Sequence, residues 1–216
     1  ALAKAPLVLR EGLIFPYTQG LAFVAHVRQR HPWSRIDAMY KKPPLATEHI
    51  LHPTKYETYE RPDVIKARTP AALAGYDSIY DNVSGELGLA VFLRQHGIVQ
   101  SKAEIAAAGW GGDRLVIYAP KSHAGGVTGT IGVSYAVWDH RADAMEFFDA
   151  LVDALSGFGG KQTLRTDAEV VYEGADGLIV AAELRGDAVV TVFAVPKDRA
   201  AALRSEIWTY WKVTRR

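Results

Sequence analysis

Two spacings of apolar side chains divide this chain, with the change near residue 109. Before it, Leu21, Val24, Ala25 and Val27 recur at helical intervals after Pro16 and Gly20, and Pro32 ends that segment because its ring disfavours helix at His31. A second short helix follows, with Trp33, Ile36, Ala38, Met39 and Tyr40 along one side, until Pro43 and Pro44 break it. Thr47 then offers a capping hydroxyl and Pro53 closes the brief helix it starts. Glu57 to Gly75 is rich in proline and charge without a sustained period, so it reads as a long surface connection of the kind that covers sites. Ser84-Gly85-Glu86 opens a helix reaching about His96, with Leu87 and Val91 turned to the core and Gly97 as its stop. Ser101 with Glu104 forms a capping box ahead of Ile105 to Ala108.

After Gly109 the period falls towards two. Residues 114–119, 130–138, 168–173, 178–184 and 188–195 are β-branched or aromatic runs parted by Gly and Asp, the pattern of an antiparallel sheet. Gly174-Ala175-Asp176-Gly177 and Arg185-Gly186-Asp187 suit hairpin turns. Ala142, Met145, Phe148, Val152 and Leu155 repeat at three and four residues, predicting a helix over one sheet face. A last helix, about Lys197 to Trp211, does the same. The expected class is α+β: a helical half over 1–108 and an antiparallel sheet with covering helices over 109–216, packed as one unit because no flexible linker separates them.

A chain of 216 residues, 49% of them hydrophobic, can bury a substantial core. Lys and Arg number 25 against 24 for Asp and Glu, so there is no global field to hold nucleic acid or an anionic membrane, apart from a small basic end at Arg215 and Arg216. With no cysteine, disulfides and thiolate chemistry drop out. The apolar runs Ile179–Leu184 and Val189–Val195 fall far short of the roughly 20 residues needed to span a bilayer. Ala1 to Leu9 lacks the features of an intact signal peptide, which raises the expectation that an upstream piece has been removed.

Chemistry concentrates in Pro43 to Tyr56. His49 and His52 stand three apart, so on a helix they point about 60° from each other. They could share a ligand or a metal, or form an ordinary hydrogen-bonded pair. Glu48 precedes His49, whereas a His-Glu-x-x-His helix sets its base directly after the first His; that motif is absent from the sequence. Glu86, between Gly85 and Gly88, either orients an imidazole or satisfies the first turn of its helix. Gly109-Trp110-Gly111-Gly112-Asp113-Arg114 suits a turn into the first strand, with Asp113 or Arg114 fixing it, since a phosphate cradle needs the opposite order of strand and helix. Asp139 and Asp143 complement a helix start. Ser122 and His123 lack a third group to orient them.

Taken in order, Glu11 to Gly20, Thr47 to Tyr56, Gly85 to Gly88, Gly109 to Arg114 and Trp138 to Phe147 resemble a zincin-like, gluzincin-type family of bacterial and archaeal metallopeptidase-like proteins and lipoproteins. The resemblance implies that His-Glu-x-x-His and a downstream glutamate lie ahead of the Pro16-Tyr17-Thr18 segment. Zinc is then expected only in the complete protein and none in this chain alone, which would be inactive without an upstream segment or companion chain. It implies a peptide or protein substrate and a place in the cell envelope or outside the cell. His52 matches the family pattern, while His49 stands where Gln is usual. His52 or Tyr56 becomes the candidate donor to charge developing on a scissile carbonyl, with Glu48, His49, Glu86, Asp113 and Arg114 shaping the site. The alternative is a non-catalytic binding or structural module that docks a protein, for example through Trp208, Tyr210 and Trp211. A third possibility is a hydrolase working alone with His49 and His52.

Overall fold

The computed structural model describes residues 4–122, 128–158 and 160–215; His123 and Arg216 lie outside them. Eight helices and nine strands are described: α1 (Leu7–Arg30), α2 (Trp33–Met39), α3 (Thr47–Leu51), α4 (Pro53–Thr58), β1 (Val64–Lys66), β2 (Tyr76–Asn82), α5 (Gly85–Gln95), α6 (Gln100–Ala107), β3 (Trp110–Pro120), β4 (Ile131–Trp138), α7 (Arg141–Ser156), β5 (Lys161–Arg165), β6 (Glu169–Glu173), β7 (Leu178–Arg185), β8 (Ala188–Pro196), α8 (Lys197–Tyr210) and β9 (Lys212–Thr214). The α+β class read from the sequence is the observed one.

The main sheet has seven strands in the order β2-β3-β4-β8-β7-β6-β5, every neighbouring pair antiparallel. It is two meanders, β2 to β4 and β5 to β8, joined through α7 and zipped together where β4 meets β8 from Gly132↔Phe193 to Val137↔Ala188. Strand alternation separates two cores. On one face Ala136, Trp138, Val170, Ala182 and Val189 meet Leu89, Leu93, Ala103, Phe148 and Leu151 of α5, α6 and α7. On the other, Val133, Tyr135, Val190 and Val192 meet Leu203, Ile207 and Trp211, at and just beyond α8. A third small cluster, Phe23, Val27, Met39 and Tyr56, fastens α1 and α2 to α4.

Four local expectations change. α1 begins at Leu7 and runs through Pro16; the ring costs one backbone bond, which a helix of 24 residues tolerates. Thr47 is the first helical residue rather than the cap; the helix it begins does stop ahead of Pro53, as expected, but Pro53 also starts a further helix, α4. Ser101 lies inside α6, whose cap is Val99. Within the stretch read as a surface connection, β1 pairs with β9, and a 3₁₀ turn at Ala71–Leu73 buries Leu73 completely. The expected helical half therefore supplies strands too: β2 joins the main sheet through β3, and α5 and α6 share one core with it.

Candidate functional site

The short helices α3 and α4 bring the polar residues singled out above to the beginning of α5. Gly85 makes this approach possible. Its φ is +70°, and a Cβ there would stand 2.9 Å from Thr47 Oγ1, so only glycine takes this backbone without moving α3. Asp113 on β3 anchors the same turn. Its carboxylate is 2% exposed and accepts from the N–H of Ser84 (2.8 Å), the N–H of Gly85 (2.8 Å) and Trp110 Nε1–H (2.9 Å). Burial nevertheless pushes the Asp113 carboxyl above its usual range, against those donors. Arg114, next along β3, pairs with Asp81 of β2. Asp113 thus holds the helix start, and Arg114 fastens the edge strand.

Glu86, 4% exposed, meets His52: its Oε1 is 2.7 Å from His52 Nε2. The bond to Glu86 holds the His52 imidazolium above its ordinary value, opposed by partial burial. Glu86 Oε2 is buried without a hydrogen-bond partner, so the carboxylate retains acceptor capacity. Beside this pair, Lys55 Nζ lies 2.5 Å from Glu48 Oε1, 2.5 Å from Asp139 Oδ2 and 3.3 Å from Glu60 Oε1. Burial raises the Glu48 carboxyl to about 7 despite Lys55. The Lys55 ammonium is held charged although it is desolvated, through its bonds to Asp139 and Glu48.

One of the two candidate donors, Tyr56, and one of the residues expected to shape the site, His49, have other tasks. His49 is fully buried, with Leu45 N–H donating to Nδ1 (3.3 Å) and Nε2–H donating to the Glu60 carbonyl (2.6 Å). Both ring nitrogens are spent, and no metal position remains on it. Tyr56 is 4% exposed, its hydroxyl donates to the Lys42 carbonyl (2.8 Å), and its ring meets Phe23 edge-on at 5.3 Å. It is a core residue, out of reach of a substrate. The oxygens of Glu48, Glu60 and Asp139 lie within 4.8 Å of one another, yet the Lys55 ammonium already occupies their midst. In this arrangement the three carboxylates are engaged by Lys55. Of the proposed donors only His52, with a side chain 39% exposed, faces outward. Of the proposed docking aromatics, Trp211 is buried, with Nε1–H donating to the Arg68 carbonyl (2.9 Å), and Trp208 Nε1–H donates to Glu183 (2.5 Å); Tyr210 remains 48% exposed.

The opposite side of α5 borders something that residue types did not announce. Between α5, the end of α7 and the sheet lies a cavity of about 640 Å³. Its floor is Leu115 and Ile117 of β3, Gly132 and Ser134 of β4, and Thr191 and Phe193 of β8. Small residues make the room: β4 alternates Ile131, Val133, Tyr135 and Val137 on the α8 face with Gly132, Ser134 and Ala136 on the other. Phe92, His96 and Phe158 form a chain of rings that meets Phe193 of the floor, His96 lying 4.7 Å from Phe92 and 4.6 Å from Phe158. Burial lowers the His96 imidazole below its ordinary value. Ala194, also in the lining, has φ +56°. It is the extra residue of a bulge, since Ile179 opposes Val195 while Ala181 opposes Val192, and such bulges bend a strand next to sites. A second cavity of about 580 Å³, bordered by Asp63, Ser84, Asp113 and Arg114, adjoins the first through Val83 and Ser84.

A family model described as "Domain of unknown function (DUF8575)" matches residues 73–204, and the chain belongs to that family. The match spans α5, the main sheet and α7, hence nearly all of the larger cavity and Glu86, but stops short of His52. No curated protein matches the chain by sequence. Among solved structures, the extracellular domain of PknH from Mycobacterium tuberculosis is similar at 15% identity over 71% of this chain and 86% of that one, with a TM-score of 0.36; so slight a likeness defines neither a common fold nor a common ligand. Among the described residues no helix is long and apolar enough to cross a membrane.

Proposed function

We propose that this chain is a non-catalytic binding module for a small, mainly apolar molecule seated between α5 and the sheet. The observation that carries this reading is the cavity of about 640 Å³, within the range of roughly 300 to 1,000 Å³ that small-molecule sites occupy. Its wall is aliphatic and aromatic, with the hydroxyls of Ser134 and Thr191 inside and Gln95 and His96 at the edge. Such a lining favours an acyl chain or ring system with one polar end, because each apolar carbon leaves water while a few polar groups fix orientation. The test is a thermal-shift titration with medium-chain fatty acids and an environment-sensitive fatty-acid probe. A ligand at 100 times its Kd adds about 2.7 kcal/mol to stability. Ser134→Phe, which fills the floor, is expected to abolish that gain while the unliganded protein stays folded. Saturable probe binding unchanged in Ser134→Phe overturns the assignment.

A second reading is the peptidase half implied by the resemblance, and one observation favours it: His52, outward-facing and backed by the Glu86 carboxylate at 2.7 Å. A protonated imidazole held this way can donate to developing negative charge. Peptide turnover by the full-length coding product, unchanged in His52→Ala, removes that role.

A further inference from the structure

We infer that α1 and α2 form a docking surface for a bilayer carrying anionic headgroups. The first observation is that the apolar side chains of α1 are covered towards its C-terminal end and left open ahead of it. Phe23 and Val27 turn one face of α1 into the core with Met39 and Tyr56. Ahead of them on α1, Leu9, Leu13, Tyr17 and Leu21, one at every fourth residue, are 57%, 61%, 79% and 68% exposed. A surface helix ordinarily turns polar residues outward; this one presents an uncovered apolar stripe about 18 Å long at 1.5 Å per residue. Trp33 and Tyr40 on the α2 side add rings 62% and 84% exposed, and amphipathic rings of this kind settle at the headgroup level of membranes.

Charge selects the occupant. Between Lys4 and Lys42 the chain carries Lys4, Arg10, Arg28, Arg30, Arg35, Lys41 and Lys42 against only Glu11 and Asp37. Glu11 is paired with Arg94 of α5 at 3.1 Å and Arg30 with Glu57 of α4 at 3.4 Å, which leaves six bases against Asp37. Since the whole chain holds 25 basic and 24 acidic residues, its near-neutrality conceals a basic end, and the remainder is net acidic. A symmetric pair of copies joined through this face would bring two basic patches together, which Coulomb repulsion opposes. A bilayer of anionic lipid meets both needs at once: headgroups answer the lysines and arginines, and the acyl boundary receives the stripe. α1 then lies in the plane of the interface, consistent with a helix too polar to cross it.

The experiment is sedimentation with vesicles of phosphatidylcholine alone and of phosphatidylcholine with about one-third phosphatidylglycerol, a fraction large enough to give a strong negative surface potential. Binding to the anionic vesicles is expected to exceed that to the neutral ones by about tenfold or more and to fall steeply in 0.5 M salt as screening shortens. Trp33 emission shifts to the blue on binding, a shift that Trp33→Phe removes, since Trp110, Trp138 and Trp211 are already buried and Trp208 is partly buried and bonded to Glu183. Leu13→Ser with Tyr17→Ser and Leu21→Ser removes binding at low salt, while far-UV circular dichroism confirms the retained fold. Arg35→Glu with Lys41→Glu weakens it independently of the apolar stripe. Equal or absent binding to the two vesicle types overturns the proposal. So does concentration-dependent dimerisation abolished by the triple serine variant, which assigns the face to a second copy.

Discussion

Replacing Asp113 with alanine tests whether a single carboxylate holds the start of α5, and the loss can be worked from its contacts. Three donors converge on it: two backbone N–H groups at 2.8 Å and an indole N–H at 2.9 Å. Each buried donor left unpaired costs about 1 to 3 kcal/mol. Asp113 lines the cavity of about 580 Å³, so water can reach part of the gap and the lower end applies to each donor. The expected loss is about 3 to 4 kcal/mol, a large share of the roughly 5 to 15 kcal/mol that stabilises a domain. Asp113→Asn keeps one acceptor oxygen but turns an amide N–H towards a donor, so about half that loss is expected. Urea unfolding followed by far-UV circular dichroism measures both; the midpoint should fall with the slope unchanged. Because Glu86 rides on the same helix turn, the alanine variant should also lose the raised His52 titration in NMR. A stability loss below about 1 kcal/mol with His52 unchanged would refute the reasoning that this carboxylate organises the helix start.

Two histidines give pH dependences of opposite sign. His52 is raised in the folded protein by Glu86, so its stabilisation is complete below the unfolded value near 6.5 and disappears as pH climbs through the higher folded value; Glu86→Gln should flatten that limb of a stability-versus-pH curve. His96 is lowered by burial, so stability declines as pH drops through about 6.5 towards its folded value, and His96→Asn should remove the acid-side decline. Lys55→Met strips the cation from Glu48, which is 2% exposed; denaturation should show a larger loss at pH 8, where Glu48 of the parent protein is ionised against Lys55 and the variant must take up a proton, than at pH 5, where Glu48, titrating at about 7, is neutral in both. An equal loss at both values would contradict that account. Ala194→Val places a β-branched side chain at φ +56°, a conformation it strongly disfavours, and should lower the melting temperature and probe binding together; Ala194→Gly should retain both.

Sequence alone determined the broad architecture, because burial imposes periodicity on any element with one face in the core. The alternation of β3, β4, β7 and β8 and the three-and-four spacing of α7 are direct imprints of that burial. The elements it missed lack the imprint. β2 and β5 are edge strands, exposed along nearly all their residues, and β1 is a short strand whose partner β9 lies near the other end of the chain. Edge pairing leaves little apolar pattern to read.

Site chemistry divided in the same way. Residue types located the polar cluster around His49, His52 and Glu86, since buried charge and imidazole are scarce in ordinary helices. Only the tertiary structure decided their tasks: His49 and Tyr56 spend their polar atoms on the carbonyls of Glu60 and Lys42, whereas His52 finds Glu86 thirty-four residues away. The larger cavity had one legible trace, the small residues Gly132, Ser134 and Ala136 on a single face of β4. Small side chains show where volume is absent from a strand. Whether a neighbour fills that space depends on where α5 and α7 come to rest, and that is fixed by packing across the whole sheet rather than by local sequence.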